Sequence, residues 1–209
     1  MKRNVFYVVC SFVAALFVMT ACDETSEENE FDNWEVRNKA YLDSIATVAQ
    51  TNASGDWKML KSYTLPADQA GGSLLAKDPL DYVFVKVLKN GTGATPLYND
   101  TVRVHYRGSY INGTKFDQSY KGTLDPNTAM PSKFQTSALI NGWTTALQQM
   151  KEGDSWIVYI PWTLGYGPGT MASSSSSILE YSVLVFSLDL VKVYPSDVYN
   201  SSNPVPEWR

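Results

Sequence analysis

The segment from Val102 to Asp117, VRVHYRGSYINGTKFD, constrains the fold more than any other. Val102, Val104 and Tyr106 alternate with Arg103, His105 and Arg107, the two-residue period of a half-buried strand. Asn112-Gly113 then offers a dipeptide that accepts positive φ and reverses the chain tightly. Phe116 and Asp117 follow, an aromatic ring and then a carboxylate. A hairpin returns this pair to the side of Tyr106. The product is an apolar, aromatic-walled hollow with one acidic acceptor at its rim.

The remaining periodicities supply more strands and few helices. LDYVFVKVL at 80–88 is a β-branched and aromatic run suited to one buried strand. Trp156, Val158 and Ile160 alternate before Pro161, and VLVFSLDLVKV at 183–193 alternates throughout. Lys133-Phe134-Gln135 reads as a short strand, and Trp57, Met59, Tyr63 and Leu65 as another. Ile140, Trp143, Leu147 and Met150 mark one face of a short helix closed by Gly153. Upstream, Phe31, Trp34, Tyr41, Ile45 and Val48 recur near a helical period, predicting an amphipathic helix packed on its own domain, with a partner contact as the sharper alternative. Residues 66–79, the insertion at 120–131 and the serines at 173–177 read as loops. Strands with a short helix inserted before the last two define an α+β fold.

The chain opens on Lys2 and Arg3, then an apolar run from Val5 to Met19, too short for a spanning helix and patterned as a secretory signal over 1–21. Met19-Thr20-Ala21-Cys22 resembles a bacterial lipobox, with Cys22 as the lipidation site; an ordinary signal peptide with an incidental cysteine is the alternative. Acyl chains anchor by burial worth roughly 0.8 kcal/mol per CH₂. Residues 22–30 then form an acidic tether, 31–79 a helix-and-strand extension, 80–194 the main domain and 195–209 a tail. An outer-membrane location in a Gram-negative cell envelope follows, on either face.

Several chemistries are excluded. The only other cysteine is Cys10, inside the signal segment, so the mature chain has no disulfide, cysteine metal cluster or thiol nucleophile. The single histidine, His105, sits on the strand face opposite Tyr106 and rules out a histidine-rich metal site. No G-x-S-x-G motif accompanies it, so it reads as a plain strand residue. With 21 acidic residues against 17 basic ones and no basic stripe, nucleic acid is a poor partner.

VHYRG at 104–108, NGTKFDQS at 112–119, LINGW at 139–143, IPWTLGYG at 160–167 and LVFSLDLVKV at 184–193 together resemble the FKBP family of peptidyl-prolyl cis-trans isomerases, in order and spacing over about residues 80–194. The resemblance implies a twisted antiparallel sheet curled around one short helix. It implies that Tyr106, Phe116, Trp143, Tyr166 and Phe186 wall a proline pocket, with Trp143 as its floor and Asp117 at its edge. Leu139 and Ile140 match a ligand-binding pair, the second through its backbone N–H, and Ile178 matches a flap residue. The family's arginine shortly after the aspartate is replaced here by Tyr120, Lys121 and Gly122, and the loop after Gly169 lacks the Ile-Pro-rich flap. The implied partners are Xaa-Pro segments of unfolded or partly folded proteins, with a macrolide as a further pocket ligand and the membrane reached through the lipid. No cofactor or metal is implied.

Such a pocket suits amide rotation. Twisting the Xaa-Pro bond breaks conjugation and reduces its polarity, so a dry aromatic cavity tolerates the twisted state better than water does. The rival readings are a non-catalytic binding or chaperone lipoprotein that keeps the pocket, and a hollow that is simply filled core.

Overall fold

A computed structural model describes residues 29–66, 78–169, 171–172 and 177–207. The expected signal segment, Cys22, most of the acidic tether, and most of the 66–79 and serine loops lie outside the described residues. Residues 29–32 form a short turn closed by Asn29 N–H on Asp32 Oδ2 at 3.0 Å.

Helix α1 (Trp34–Thr51) leads into β1 (Trp57–Lys61), then β2 (Tyr82–Lys89), β3 (Thr101–Ser109), β4 (Lys115–Gln118) and β5 (Ser132–Gln135). The short helix α2 (Asn141–Leu147) follows, then β6 (Ser155–Ile160), the two-residue strands β7 (Met171–Ala172) and β8 (Ser177–Ile178), and β9 (Leu184–Tyr194). Seven strands form one sheet in the order β1-β2-β6-β9-β3-β4, with β5 also on β3, and every pairing is antiparallel. Strand β3 is the hub: β9 runs along one side, while β5 takes Thr101–Val104 and β4 takes Arg107–Ser109 on the other. The α+β architecture expected from the sequence is present.

The two helices cover opposite faces of the sheet. Leu42, Ala46 and Ala49 of α1 pack with Tyr82, Phe84, Tyr159 and Val183. Tyr159 pairs with Val185, whereas the neighbouring pair Val158–Phe186 points the other way, where Phe186 meets Trp143 of α2. The α1 face differs from the large-apolar stripe expected. Its buried residues are Trp34, Asn38, Leu42, Ala46 and Ala49, while Tyr41 and Ile45 are only half-buried and Val48 is 46% exposed. Small side chains bring the helix axis close to the sheet, and Asn38 is tolerated because both ends of its amide are used. Its Nδ2 donates to Trp34 O at 2.8 Å, and its Oδ1 accepts Val183 N–H at 2.8 Å. The bland expectation, a helix packed on its own domain, is what the chain does. At its end Asn52 accepts Trp57 N–H and donates to Trp57 O, tying the helix to β1.

Three further expectations are corrected. The first strand stops at Lys61, and Tyr63–Leu65 lie in a turn with Leu65 N–H on Ser62 O at 3.1 Å. The tail is folded: Ser196 N–H reaches Asp100 Oδ1, Tyr199 packs on Tyr194 at 5.1 Å, and Pro206 O accepts Arg103 Nη2 at 2.7 Å. For that reason β3 is not half-buried. Arg103 and His105, on the face away from Tyr106, are 3% and 2% exposed, with Tyr120 set edge-on to His105.

His105 therefore titrates from a buried site. Burial lowers its pKa, with Asp189 opposing weakly from the paired strand. Because the folded value lies below the unfolded value of about 6.5, the unfolded chain takes up the proton first as pH falls. The stabilising contribution is complete above about pH 6.5 and is lost on acidification from there towards the folded value. Urea unfolding at stepwise pH between 7.5 and 5.5 is expected to show falling stability, with the slope reduced in His105→Phe. An unchanged slope in that variant would remove the histidine from the account.

Candidate functional site

The inward face of β3 runs Val102, Val104, Tyr106, Gly108 and then Tyr110 just past the strand. Gly108 is the gap in this row. A Cβ built there would lie 2.6 and 2.7 Å from the Phe116 ring and 2.7 Å from the Phe186 ring, so both phenylalanines occupy the space that any other residue would fill. Gly108 pairs with Asp117 of β4 on one side and Phe186 of β9 on the other, which is how those strands deliver their rings to one spot. The reversal between β3 and β4 is closed by Gly113 N–H on Tyr110 O and Tyr110 N–H on Thr114 O, both at 2.9 Å, with Gly113 at φ +85°.

Helix α2 supplies the ring beneath this wall. Trp143 is 4% exposed and meets Phe186 at 5.1 Å, Tyr106 at 5.2 Å and Phe134 at 5.9 Å between ring centroids, each near edge-to-face. Phe116 meets Phe186 at 5.5 Å, also edge-to-face. The helix is fixed by buried threonines: Thr144 Oγ1 donates to Thr136 O at 2.8 Å, and Thr136 in turn bonds Asp100 O through both N–H and hydroxyl. Leu139 and Ile140, both half-buried, lead into its first turn, where Ile140 O accepts Thr144 N–H.

The polar edge is equally defined. Tyr106 Oη donates to Asp117 Oδ2 at 2.9 Å across an exposed rim, and Asp117 Oδ1 accepts Gln118 N–H at 2.8 Å. Burial first, then the Asp117 bond, raises the Tyr106 phenol well above its ordinary value. Tyr166 is 36% exposed; burial and the charge of Asp117 raise its pKa as well, which puts its hydroxyl in the electrostatic reach of the same carboxylate. A cavity of about 410 Å³ lined by residues 115–121 lies beside this rim.

The structure thus gathers Tyr106, Phe116, Asp117, Trp143 and Phe186 into one cluster. Ile178 is 6% exposed and joins the wall through its neighbour, since Leu179 N–H is on Tyr110 Oη at 3.2 Å. Cys22 lies outside the described residues. Sequence reasoning missed two rings. Phe134 pairs with Val102, on the inward side of β3, and lies 5.9 Å from Tyr106; its register was the available signal. Tyr110 continues the inward alternation past Gly108 and meets Phe116 at 5.1 Å. It also missed the role of Arg107, which binds Gly122 O and Gln118 Oε1 and covers the Tyr120 ring at 4.6 Å, holding down the segment where the family arginine is absent.

Residues 93–191 match the FKBP-type peptidyl-prolyl cis-trans isomerase family. The outer membrane protein MIP of Legionella longbeachae is 41% identical over 108 residues, covering 52% of this chain and 42% of that protein. The peptidyl-prolyl cis-trans isomerase Mip of Coxiella burnetii is 39% identical over 103 residues, covering 47% and 42%. The chain thus spans about two fifths of the length of these relatives. Among solved structures, a peptidyl-prolyl cis-trans isomerase from Pseudomonas syringae superposes with a TM-score of 0.51 at 29% identity, over 75% of this chain and 95% of that one. FkpA from Escherichia coli shares the fold, with a TM-score of 0.56 at 23% identity over 94% and 74%. Through the domain built on this ring cluster, residues 93–191 of the chain are similar to the FKBP-type peptidyl-prolyl cis-trans isomerase family.

Proposed function

We propose that the protein is a peptidyl-prolyl cis-trans isomerase that assists folding of polypeptides outside the cytoplasm, held at the cell envelope by a lipid on Cys22. The observation that carries the reading is the closed set of rings around Trp143, with the Tyr106–Asp117 pair at its mouth. The family match and the envelope location of the Legionella relative support it. No described helix is long and apolar enough to cross a membrane.

In this reading Trp143 lies under the pyrrolidine ring, and Tyr106, Phe116 and Phe186 enclose its sides. Leu139 and Ile140 flank the chain, with Ile140 N–H and the Tyr166 hydroxyl holding the neighbouring carbonyls while the C–N bond turns. Asp117 stays fixed by the Tyr106 hydroxyl and keeps charge at the rim, outside the ring-lined interior. Rotation about Xaa-Pro faces a barrier of about 18–20 kcal/mol in water. The twisted amide loses its resonance dipole, and a cavity without water to solvate the planar form favours the twisted one. Held carbonyls add orientation. A macrolide presenting a similar ring and carbonyl would compete for the same space.

The purified protein is expected to accelerate cis-to-trans conversion of an Xaa-Pro tetrapeptide, and a macrolide to inhibit it. A hundredfold acceleration corresponds to about 2.7 kcal/mol removed from the barrier. Macrolide or peptide binding with no acceleration over buffer would replace this reading with the non-catalytic binding module.

A further inference from the structure

The pocket wall formed by Tyr110 and the segment 178–183 is not held by the domain alone. Trp34, at the start of α1, donates its indole N–H to Ser182 Oγ at 3.0 Å, and Ser182 Oγ donates onward to Leu179 O at 2.7 Å. The same indole stands edge-on to Tyr110 at 5.6 Å. Tyr110 Oη in turn accepts Leu179 N–H, so both main-chain groups of Leu179 are fixed by partners that touch Trp34. One turn further along α1, Asn38 holds Val183 N–H. Within this bracket Tyr181 sits at φ +54°, a left-handed conformation that is strained for a non-glycine residue and persists only when its surroundings enforce it.

We infer that α1 is a brace for the pocket, in which Trp34 and Asn38 act as positioning residues that set the 178–183 segment and, through Tyr110, the Phe116 wall. The contacts form one unbroken series: Trp34 on Tyr110, Tyr110 on Phe116, Phe116 on Phe186, Phe186 on Trp143. A change at the helix therefore reaches the ring cluster around Trp143 without any residue of α1 entering it. The effect on ligand affinity rests on the pocket reading above, whereas the bracing of 178–183 does not.

The test uses Trp34→Phe, which keeps an aromatic ring but removes the indole donor, and Ser182→Ala, which removes its acceptor. Two quantities are read on the purified protein: backbone hydrogen exchange, and the Kd for an Ala-Phe-Pro-Phe peptide. Expected in both variants are exchange at 178–183 faster by about tenfold, unchanged exchange in β9, and a Kd raised severalfold. The double variant should match the larger single effect, because both substitutions break the same bond. Unchanged exchange at 178–183 overturns the brace; faster exchange with an unaltered Kd overturns its reach to the pocket. Wild-type protein that binds the peptide without isomerising it defeats the proposed activity and leaves these two readouts to decide the brace.

Discussion

Trp143→Ala is expected to abolish the proposed isomerase activity and lower stability together, because the ring proposed as the pocket floor is also part of the core. Trp143 is 4% exposed and in edge-to-face contact with Tyr106, Phe134 and Phe186. Removing a buried tryptophan costs about 3–5 kcal/mol, the lost transfer energy plus the void that remains. For a domain of this size that corresponds to a fall in Tm of roughly 10 °C. Urea unfolding measures the first effect and the Xaa-Pro assay the second. Trp143→Phe separates them: a ring of smaller area restores most of the packing, so stability should largely recover while the catalytic rate remains reduced. If Trp143→Ala folds and retains wild-type activity, the floor is elsewhere.

Gly108→Ala is expected to have the opposite balance, with a larger effect on the pocket than on the fold. One added methyl group would stand 2.6–2.7 Å from Phe116 and Phe186, closer than carbon atoms can approach. Both rings must swing outward, and overpacking of this kind costs about 1–3 kcal/mol. The cluster is filled from both neighbouring strands, so relief for one ring pushes on the other. Peptide affinity should fall by at least tenfold, with shifted aromatic resonances for Phe116 and Phe186. Gly169→Ala is the control, since a Cβ there meets nothing within 4 Å. Equal behaviour of the two variants would show that the space beside Gly108 is not what shapes the hollow.

The parts of this protein readable from its sequence are those governed by local rules. A two-residue alternation placed β3, β6 and β9, and Asn112-Gly113 placed the hairpin that brings Asp117 to Tyr106. Residue type then marked most of the rings that converge. What escaped depends on distant partners. The buried face of α1 carries Asn38, Ala46 and Ala49, which look polar or featureless until Val183 and the outer sheet face are known. Arg103 and His105 look like solvent-facing strand residues because the segments that bury them come from Pro131, Tyr120 and the tail beyond Tyr194. Tyr110 is hidden as a wall residue because Gly108 interrupts the row of side chains to which it belongs. In each case the missing information is a contact across the fold.

The hub position of β3 also bears on how the molecule comes to exist. Its long neighbour β9 is separated from it by most of the domain, and the bond from Trp34 to Ser182 spans 148 positions along the chain. Contacts so remote in sequence are entropically expensive to close and make for slow, late assembly. During synthesis the first helix can meet β1 and β2 early, but its contacts with Tyr159, Ser182 and Val183 must wait until nearly the last strand has emerged. A chain built this way would be among the slower ones to mature.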